Sequence, residues 1–208
     1  MMTPPVTNLR AALEDCAERK DEILLSRSLP LALVLELLRD WRNWGRLNQQ
    51  IPPDGKDWRS WLVLGGRGAG KTRAGAEWVK AIALGTWEPV MGKAERIAIV
   101  APTFAEARLV MIEGKSGLLA IHDENERPLF EPSKRQLTWP NGCVAHVFSA
   151  EEPDGLRGPQ FDAAWCDELA KWKHAGAVWD MLSLVVGLSV SLGAAAAKLF
   201  PFLLTPGN

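Results

Sequence analysis

The fold of this chain is decided by one glycine-rich stretch, which reads Trp61-Leu62-Val63-Leu64-Gly65-Gly66-Arg67-Gly68-Ala69-Gly70-Lys71-Thr72. It begins with a short apolar run, typical of a buried strand, and a helical pattern follows from Arg73. Gly65, Gly70, Lys71 and Thr72 match GxxxxGK(S/T), the P-loop. A glycine-rich turn with an accidental lysine is the alternative. It is disfavoured because a strand precedes the motif and a helix follows it.

The chemistry of phosphate binding requires this spacing. Glycines let the backbone adopt positive φ angles and approach a phosphate closely, and successive N–H groups then form an anion nest at a helix N-terminus. Lys71 is expected to reach the β- and γ-phosphates, and the Thr72 hydroxyl to bind Mg²⁺. We therefore predict ATP and Mg²⁺ as cofactors, with a nucleotide-binding loop made of Gly65, Gly66, Arg67, Gly68, Ala69, Gly70, Lys71 and Thr72.

A second motif is the acidic pair Asp167-Glu168, which follows the mainly apolar run Phe161-Asp162-Ala163-Ala164-Trp165-Cys166. In a P-loop ATPase the first acid holds Mg²⁺ and the second polarises the attacking water, which assigns these roles to Asp167 and Glu168. The alternative is a strand-end pair that faces water. The P-loop upstream favours the catalytic interpretation.

Strand and helix patterns alternate between the two motifs. The helix after the P-loop is predicted to end at Gly85, and Arg96–Ala101 reads as a buried strand. Thr103 and Glu106 have capping-box spacing for a helix through about Ile112. This alternation predicts a doubly wound α/β fold. The motifs place it with P-loop NTPases of the ASCE, RecA-like type, with a mainly parallel sheet flanked by helices and a small N-terminal helical segment.

Residues 136–139 and 143–148 flank Pro140-Asn141-Gly142, which predicts a hairpin. His122 lies among acidic residues, where a solvated turn is favoured over a metal site.

Two other polar positions leave alternatives open. Gln49 or Gln50 either hydrogen-bonds adenine or is solvated. Arg157 lies in a loop rich in glycine and proline, and it is either a surface charge or aimed at a nucleotide.

Composition indicates a globular protein, since 47% of the 208 residues are apolar and 24% are charged. The net charge of −1 argues neither for nor against nucleic acid, so any DNA contact must come from a local basic face. Three cysteines without a CxxC spacing indicate reduced intracellular thiols. Charged residues interrupt any N-terminal apolar run, so no signal peptide is predicted.

We predict three segments: an N-terminal helical segment over residues 1–56, an ATPase core over 57–180 and an apolar segment over 181–208. The first segment is expected to hold a helix over residues 8–26 and a second helix from near Pro30 to Gly45. Residues 181–197 carry no charge. A membrane span is the alternative there, and a buried helix or strand of the core is favoured.

Taken together, residues 58–172 resemble the ATPase domain of the large terminase subunit of tailed phages, in the branch of gene-transfer agents. The resemblance rests on four ordered stretches, at residues 61–79, 98–108, 151–158 and 165–172. An arginine inside the P-loop, here Arg67, is a frequent trait of that family. Arg157 matches the position at which such enzymes are thought to present an arginine finger.

The resemblance implies a motor that uses ATP hydrolysis to drive double-stranded DNA into an empty capsid shell. It also implies a homo-oligomeric ring on a portal protein, a small terminase subunit as partner, no membrane, and the cytoplasm of a bacterial host. The catalytic residues carried over are Glu168, Lys71, Arg157 and Arg67, and the metal ligands are Thr72 and Asp167.

The chain departs from the family pattern after the acidic pair. The Thr-rich coupling strand and the nuclease carboxylates are not recognisable, so we expect no DNA cleavage, and a last sheet strand is expected to be missing or imperfect. A truncated or frame-shifted C-terminal segment is a hypothesis. A nucleotide-binding remnant without turnover and a helicase-like P-loop ATPase are the alternatives in function. Every interpretation requires the glycine loop and the carboxylates to lie side by side, on neighbouring strand tips.

Overall fold

The computed structural model describes residues 40–46, 49–53, 58, 60–87 and 92–193, with side chains described as far as residue 186. The chain forms two compact units, Met1–Gly45 and Arg46–Asn208. The predicted segments 1–56, 57–180 and 181–208 stay predictions.

The described part of the first unit is the short helix α1 (Trp41–Trp44). It begins after Asp40, whose carboxylate accepts a hydrogen bond from the backbone N–H of Arg42 at 3.0 Å, as an N-cap does. Gly45 ends the helix, as predicted. The predicted helix over residues 8–26 and the start of the second one near Pro30 lie outside the described residues.

Within the described residues, the second unit is built on one seven-stranded sheet. The strands are β1 (Ser60–Val63), β2 (Arg96–Ala101), β3 (Leu129–Glu131), β4 (Gln136–Thr138), β5 (Val144–Ser149), β6 (Phe161–Cys166) and β7 (Val186–Gly193). They lie in the order β1-β7-β6-β2-β5-β4-β3. The first five in this order are parallel, whereas β4 pairs antiparallel with β5, and β3 pairs antiparallel with β4. The mainly parallel sheet, the buried strand at Arg96–Ala101 and the hairpin are therefore confirmed.

The helices of this unit are α2 (Lys71–Leu84), α3 (Phe104–Glu106), α4 (Leu118–Ile121) and α5 (Ala175–Val185). Helix α2 ends at Gly85, as predicted. The hydroxyl of Thr103 caps α3 by accepting from the backbone N–H of Glu106 at 3.1 Å. The predicted helix does continue to Ile112, but it does so as a π-helix over Ala107–Ile112.

Strand β7 lies between the strand that leads into the P-loop and the strand that leads into the acidic pair. The expectation that these two strand tips are neighbours is therefore wrong. The tips are nevertheless level, because Leu62 of β1 and Cys166 of β6 both pair with Leu192 of β7. Two strand spacings separate β1 from β6, which is about 10 Å.

The uncharged C-terminal stretch completes this sheet as far as it is described. Residues 181–185 finish α5, and residues 186–193 form β7. The expected helix or strand of the core is present in this part, but its burial is mixed, since Leu182 is buried and Leu184 is 80% exposed. The expectation of a missing strand is wrong at this position. No helix among the described residues is long and apolar enough to cross a membrane.

Residues of β2 and β6 alternate between two faces of the sheet, and helices cover both faces. On one face α5 contributes to a buried cluster, which is formed by Ala98, Val100, Ala150, Leu156, Phe161, Ala164, Cys166, Leu169, Trp172, Val178 and Leu182. Val178 and Leu182 of α5 are fully buried, and each such side chain contributes about 1.5–3 kcal/mol to stability.

The other face packs against α2 at a point where the helix backbone meets an indole ring. A Cβ atom on Gly75 would collide with the ring of Trp165, which is 2% exposed. This close approach joins the P-loop helix directly to the strand that carries the acidic pair, so the two motifs share one rigid support.

His122 is buried, and the expectation of a solvated turn is wrong. Its Nδ1 lies 2.6 Å from the carbonyl oxygen of Leu118, and its Nε2 lies 2.9 Å from the indole N–H of Trp139. The neutral ring therefore donates from Nδ1 and accepts at Nε2. Burial is the main cause that lowers the pKa of His122 to about 4. Nothing in the local sequence distinguishes this histidine from a solvated one, because its indole partner Trp139 comes from another part of the fold.

We predict that acid weakens the fold through His122. Its pKa in the folded protein, about 4, lies below its ordinary value of 6.5, so the unfolded state binds more protons between these values. The free energy of unfolding should fall, by up to roughly 3 kcal/mol, as the pH drops from about 6.5 to about 4. Urea unfolding at a series of pH values measures this.

The variant His122→Gln should flatten the dependence, because an amide can replace both hydrogen bonds without titrating. The matched control is His174→Gln at an exposed histidine, which should keep the wild-type slope. An unchanged slope in His122→Gln would contradict the assignment.

Candidate nucleotide site

The P-loop adopts the conformation that its glycines permit. Gly68 and Gly70 have φ angles of 79° and 78°, in the left-handed region that glycine adopts without strain. The ammonium of Lys71 folds back over the loop and donates to the carbonyl oxygens of Gly65 at 2.9 Å and Gly66 at 3.0 Å. The positive charge thus lies over the loop, at the N-terminus of α2.

A segment upstream of β1 braces this loop. The side-chain amide of Gln50 donates to the carbonyl oxygen of Ala69 at 2.9 Å, and Arg46 donates to the same oxygen at 2.6 Å. The other end of the Gln50 amide accepts from the backbone N–H of Arg46 at 3.0 Å. A Cβ atom on Gly70 would collide with this amide. Gln50 is buried, so the expectation that it is merely solvated is wrong, whereas Gln49 is exposed.

The acidic pair directly follows β6. Asp167 is only 7% exposed, and burial first, then the charge of Glu168, raises its pKa above the ordinary value. The indole N–H of Trp172 donates to the backbone carbonyl of Asp167 at 3.0 Å and holds the turn. Glu168 has a φ angle of 49°, which is unusual for a residue other than glycine and typical of functional sites.

The two motifs meet in one cavity of about 850 Å³ at the carboxyl ends of the parallel strands, within the usual size range of ligand sites. The P-loop contributes residues 67–73, and the acidic pair contributes Asp167 and Glu168. Every predicted catalytic or metal-binding residue except Arg157 lies in this lining.

Arg157 is not among the residues that line the cavity. It follows the 3-10 turn Pro153–Leu156 and precedes β6, on the connection between two strands. Its side chain is 68% exposed, and its Nε lies 3.0 Å from the carboxylate of Asp154. Within the described chain it does not reach the cavity that the P-loop lines.

The far wall of the cavity contains residues that motif reasoning missed. They are Ala101, Pro102, Glu106, Leu109, Val110, Gly114, Lys115, Ser116 and Lys171. Most of them follow the end of β2. The prediction of Arg96–Ala101 as a buried strand of a mainly parallel sheet could have indicated this wall, since ligands bind outside the carboxyl ends of such strands.

The residues present fit a magnesium nucleotide. A Cβ atom on Gly65 would lie 2.7 Å from that of Ala69, so the loop leaves no room for a side chain at its first glycine. Asp167 is a buried carboxylate beside a second one, and its raised pKa is the electrostatic condition that a dication relieves. One carboxylate and a hydroxyl, here Thr72, are a donor set that Mg²⁺ accepts, with water and phosphate completing its shell.

This fold and site define a P-loop NTPase with a mainly parallel sheet. The sequence over residues 62–192 matches the family model described as terminase large subunit, T4likevirus-type, N-terminal. The match covers more than half of the chain, and the chain therefore belongs to this family. No match was found among curated proteins.

Solved structures with a similar fold come from phage large terminases. The ATPase domain of the Thermus phage P74-26 large terminase is 18% identical, with a TM-score of 0.44, over 71% of this chain and 61% of that one. The large terminase of a thermophilic bacteriophage, in complex with ATP-γ-S, is 15% identical, with a TM-score of 0.47, over 67% of this chain and 32% of that one. The complex of the same bacteriophage protein with ADP is 17% identical, with a TM-score of 0.49, over 67% of this chain and 34% of that one. The chain thus spans less than two thirds of the first of these structures and about one third of the other two.

We predict that Gln50 supports nucleotide binding through the loop. Replacing Gln50 with alanine frees the Ala69 carbonyl from its amide partner, and the affinity should fall roughly three- to tenfold. Because the effect acts on the phosphate loop, ATP and GTP should lose affinity equally. Titration of fluorescent analogues of both nucleotides measures this.

The matched control is Gln49→Ala, at the exposed neighbour, which should bind as the wild type does. A loss confined to ATP would contradict the bracing role. It would support the other interpretation, a contact with adenine.

Proposed function

We propose that this chain binds ATP with Mg²⁺ in the P-loop cavity and hydrolyses it, as the ATPase part of a motor that packages double-stranded DNA. The observation that carries this proposal is the convergence of Lys71, Thr72, Asp167 and Glu168 on one cavity. Membership of the large terminase family supports the packaging role.

Each of these side chains has a role that its position supports. Lys71 lies at the loop and pairs with phosphate charge, and the Thr72 hydroxyl and the Asp167 carboxylate hold the metal. When bound, Mg²⁺ neutralises charge on the β- and γ-phosphate oxygens. Glu168 orients and polarises the attacking water by accepting its hydrogen bond. Arg67, exposed at the cavity, adds positive charge beside the phosphates.

The partners of the proposed motor are double-stranded DNA, a portal protein, a small terminase subunit and further copies of the chain in a ring. The work is done in the cytoplasm of a bacterial host. Adding duplex DNA should stimulate phosphate release without separating the strands. Strand separation would instead favour a helicase-like ATPase, and nucleotide binding without turnover would favour a remnant.

We predict that two variants distinguish the residues needed for nucleotide binding from those needed only for ATP turnover. Glu168→Gln keeps the shape of the side chain and removes the acceptor charge, so turnover should fall about a hundredfold or more while affinity stays. Lys71→Ala deletes the phosphate-pairing charge and should weaken both. Nucleotide titration and phosphate release measure the two effects. The control is Glu124→Gln, at an exposed glutamate outside the cavity, which should leave turnover unchanged. Full turnover in Glu168→Gln would contradict the assignment of Glu168 as the residue that activates water.

Arg157 is proposed to act on the cavity of a neighbouring copy in the ring, as an arginine finger in trans. Its exposure and its absence from the lining of its own cavity support this direction. Arg157→Ala should slow turnover, and mixing it with Glu168→Gln should restore part of the rate. Restoration follows because some mixed interfaces pair an intact arginine with an intact glutamate. Mixtures that stay inactive, or an Arg157→Ala protein with full turnover, would contradict the role.

A further inference from the structure

One ammonium group lies between two carboxylates at the wall of the nucleotide cavity. Lys171 forms an ion pair with Glu168, and its Nζ lies 3.7 Å from Oε1 of Glu106. All three residues line the cavity. The group that is proposed to polarise water is therefore engaged by a lysine, and that lysine has a second acceptor within reach.

The backbone that follows Glu168 holds Lys171 in position for this ion pair. Glu168 starts the 3-10 turn Leu169–Lys171, and the backbone N–H of Lys171 donates to the Glu168 carbonyl at 2.8 Å. The turn is anchored on both sides, because Leu169 is fully buried and Trp172 is 5% exposed. A fixed turn of this kind keeps the ammonium of Lys171 near the carboxylate of Glu168.

The second acceptor is anchored as well. Oε2 of Glu106 accepts a hydrogen bond from the hydroxyl of Thr103 at 3.2 Å, which leaves Oε1 on the side of Lys171. Glu106 belongs to α3, which follows β2, whereas Lys171 follows β6. The ammonium thus bridges two neighbouring strand ends.

We propose that Lys171 is a positioning residue that controls whether Glu168 is available to water, with Glu106 as its alternative partner. This inference rests on the proposed function of Glu168. While the ammonium donates to Glu168, that carboxylate accepts less well from a water molecule. Movement of the ammonium towards Glu106 frees Glu168 without leaving the lysine charge unpaired.

The two ion pairs are similar enough in strength for Lys171 to exchange between Glu168 and Glu106. The side chains of Lys171, Glu168 and Glu106 are 58%, 43% and 42% exposed, so solvent screens both pairs to a similar extent. Exposed ion pairs of this kind change an equilibrium by at most about fivefold. The hydrogen bond to Glu168 raises the pKa of Lys171, so the lysine stays charged during the exchange.

The test measures steady-state ATP turnover and nucleotide affinity for three variants of the full chain. Lys171→Met keeps the aliphatic stem and removes the charge, so kcat should rise about two- to fivefold with an unchanged KM. Glu106→Gln removes the alternative acceptor charge and should lower kcat by a similar factor. Lys171→Arg keeps the charge and should stay near the wild-type rate.

A double variant separates this role from a structural one. If Glu106 acts through Lys171, Glu106→Gln should have no effect on turnover when Lys171→Met is already present. The matched control is Lys173→Met, at an exposed lysine two positions along and outside the cavity lining, which should leave turnover unchanged. Thermal unfolding of each variant checks that the fold is intact.

The inference is overturned if Lys171→Met has unchanged or lower kcat, if Glu106→Gln equals or exceeds the wild type, or if the effects of the two changes add. These results leave the proposed function standing, provided that the wild type hydrolyses ATP and Glu168→Gln does not. A wild type without turnover, or an active Glu168→Gln, would reject the proposed function and this inference with it.

Discussion

The pairing of two separate strands with β7 is the constraint on which the site depends. Leu62 and Cys166 are far apart in the chain, yet both pair with Leu192, so the turns that follow β1 and β6 start at the same height of the sheet. The collision that any side chain on Gly75 would have with Trp165 adds a second link, from the P-loop helix to β6. A slip of one residue in either pairing would turn the side chains to opposite faces and separate the loop from the carboxylates.

Given this alignment, the loop needs little rearrangement to receive phosphate. The carbonyl oxygens of Gly65 and Gly66 hold Lys71 over the loop, and the carbonyl of Ala69 is held from outside by Arg46 and Gln50. These contacts fix the loop from both sides, and within it the backbone N–H of Ala69 donates to the carbonyl oxygen of Gly66 at 3.2 Å. Preorganisation of this kind reduces the entropy that is lost on binding, because the loop is ordered before the ligand arrives.

The sequence predicted the features whose causes are local. The P-loop, β2, the hairpin around Asn141 and the end of α2 at Gly85 follow from glycine geometry, apolar runs and turn residues, and the structure has all of them. It could not predict the burial of His122, whose partner Trp139 is brought to it by the fold. The place of β7 between β1 and β6 was missed for a similar reason, since an uncharged run carries no information about its pairing partner. The same distinction holds for the site. Its two motifs were predicted because they are local in sequence, whereas its far wall was not, because that wall depends on the order of the strands.

The charges around the cavity lower the stability of the folded protein when no cation is bound there. Asp167 is buried next to Glu168, and its raised pKa means that its ionised form costs stability at neutral pH. Lys71 and Lys171 reduce that cost, since the positive charge of each lowers the pKa of Asp167. Neither removes it, because Lys71 donates to loop carbonyls and Lys171 to Glu168. A metal-bound nucleotide in this cavity would stabilise the ionised form of Asp167. Binding would therefore offset the free-energy cost of this buried charge and stabilise the folded protein.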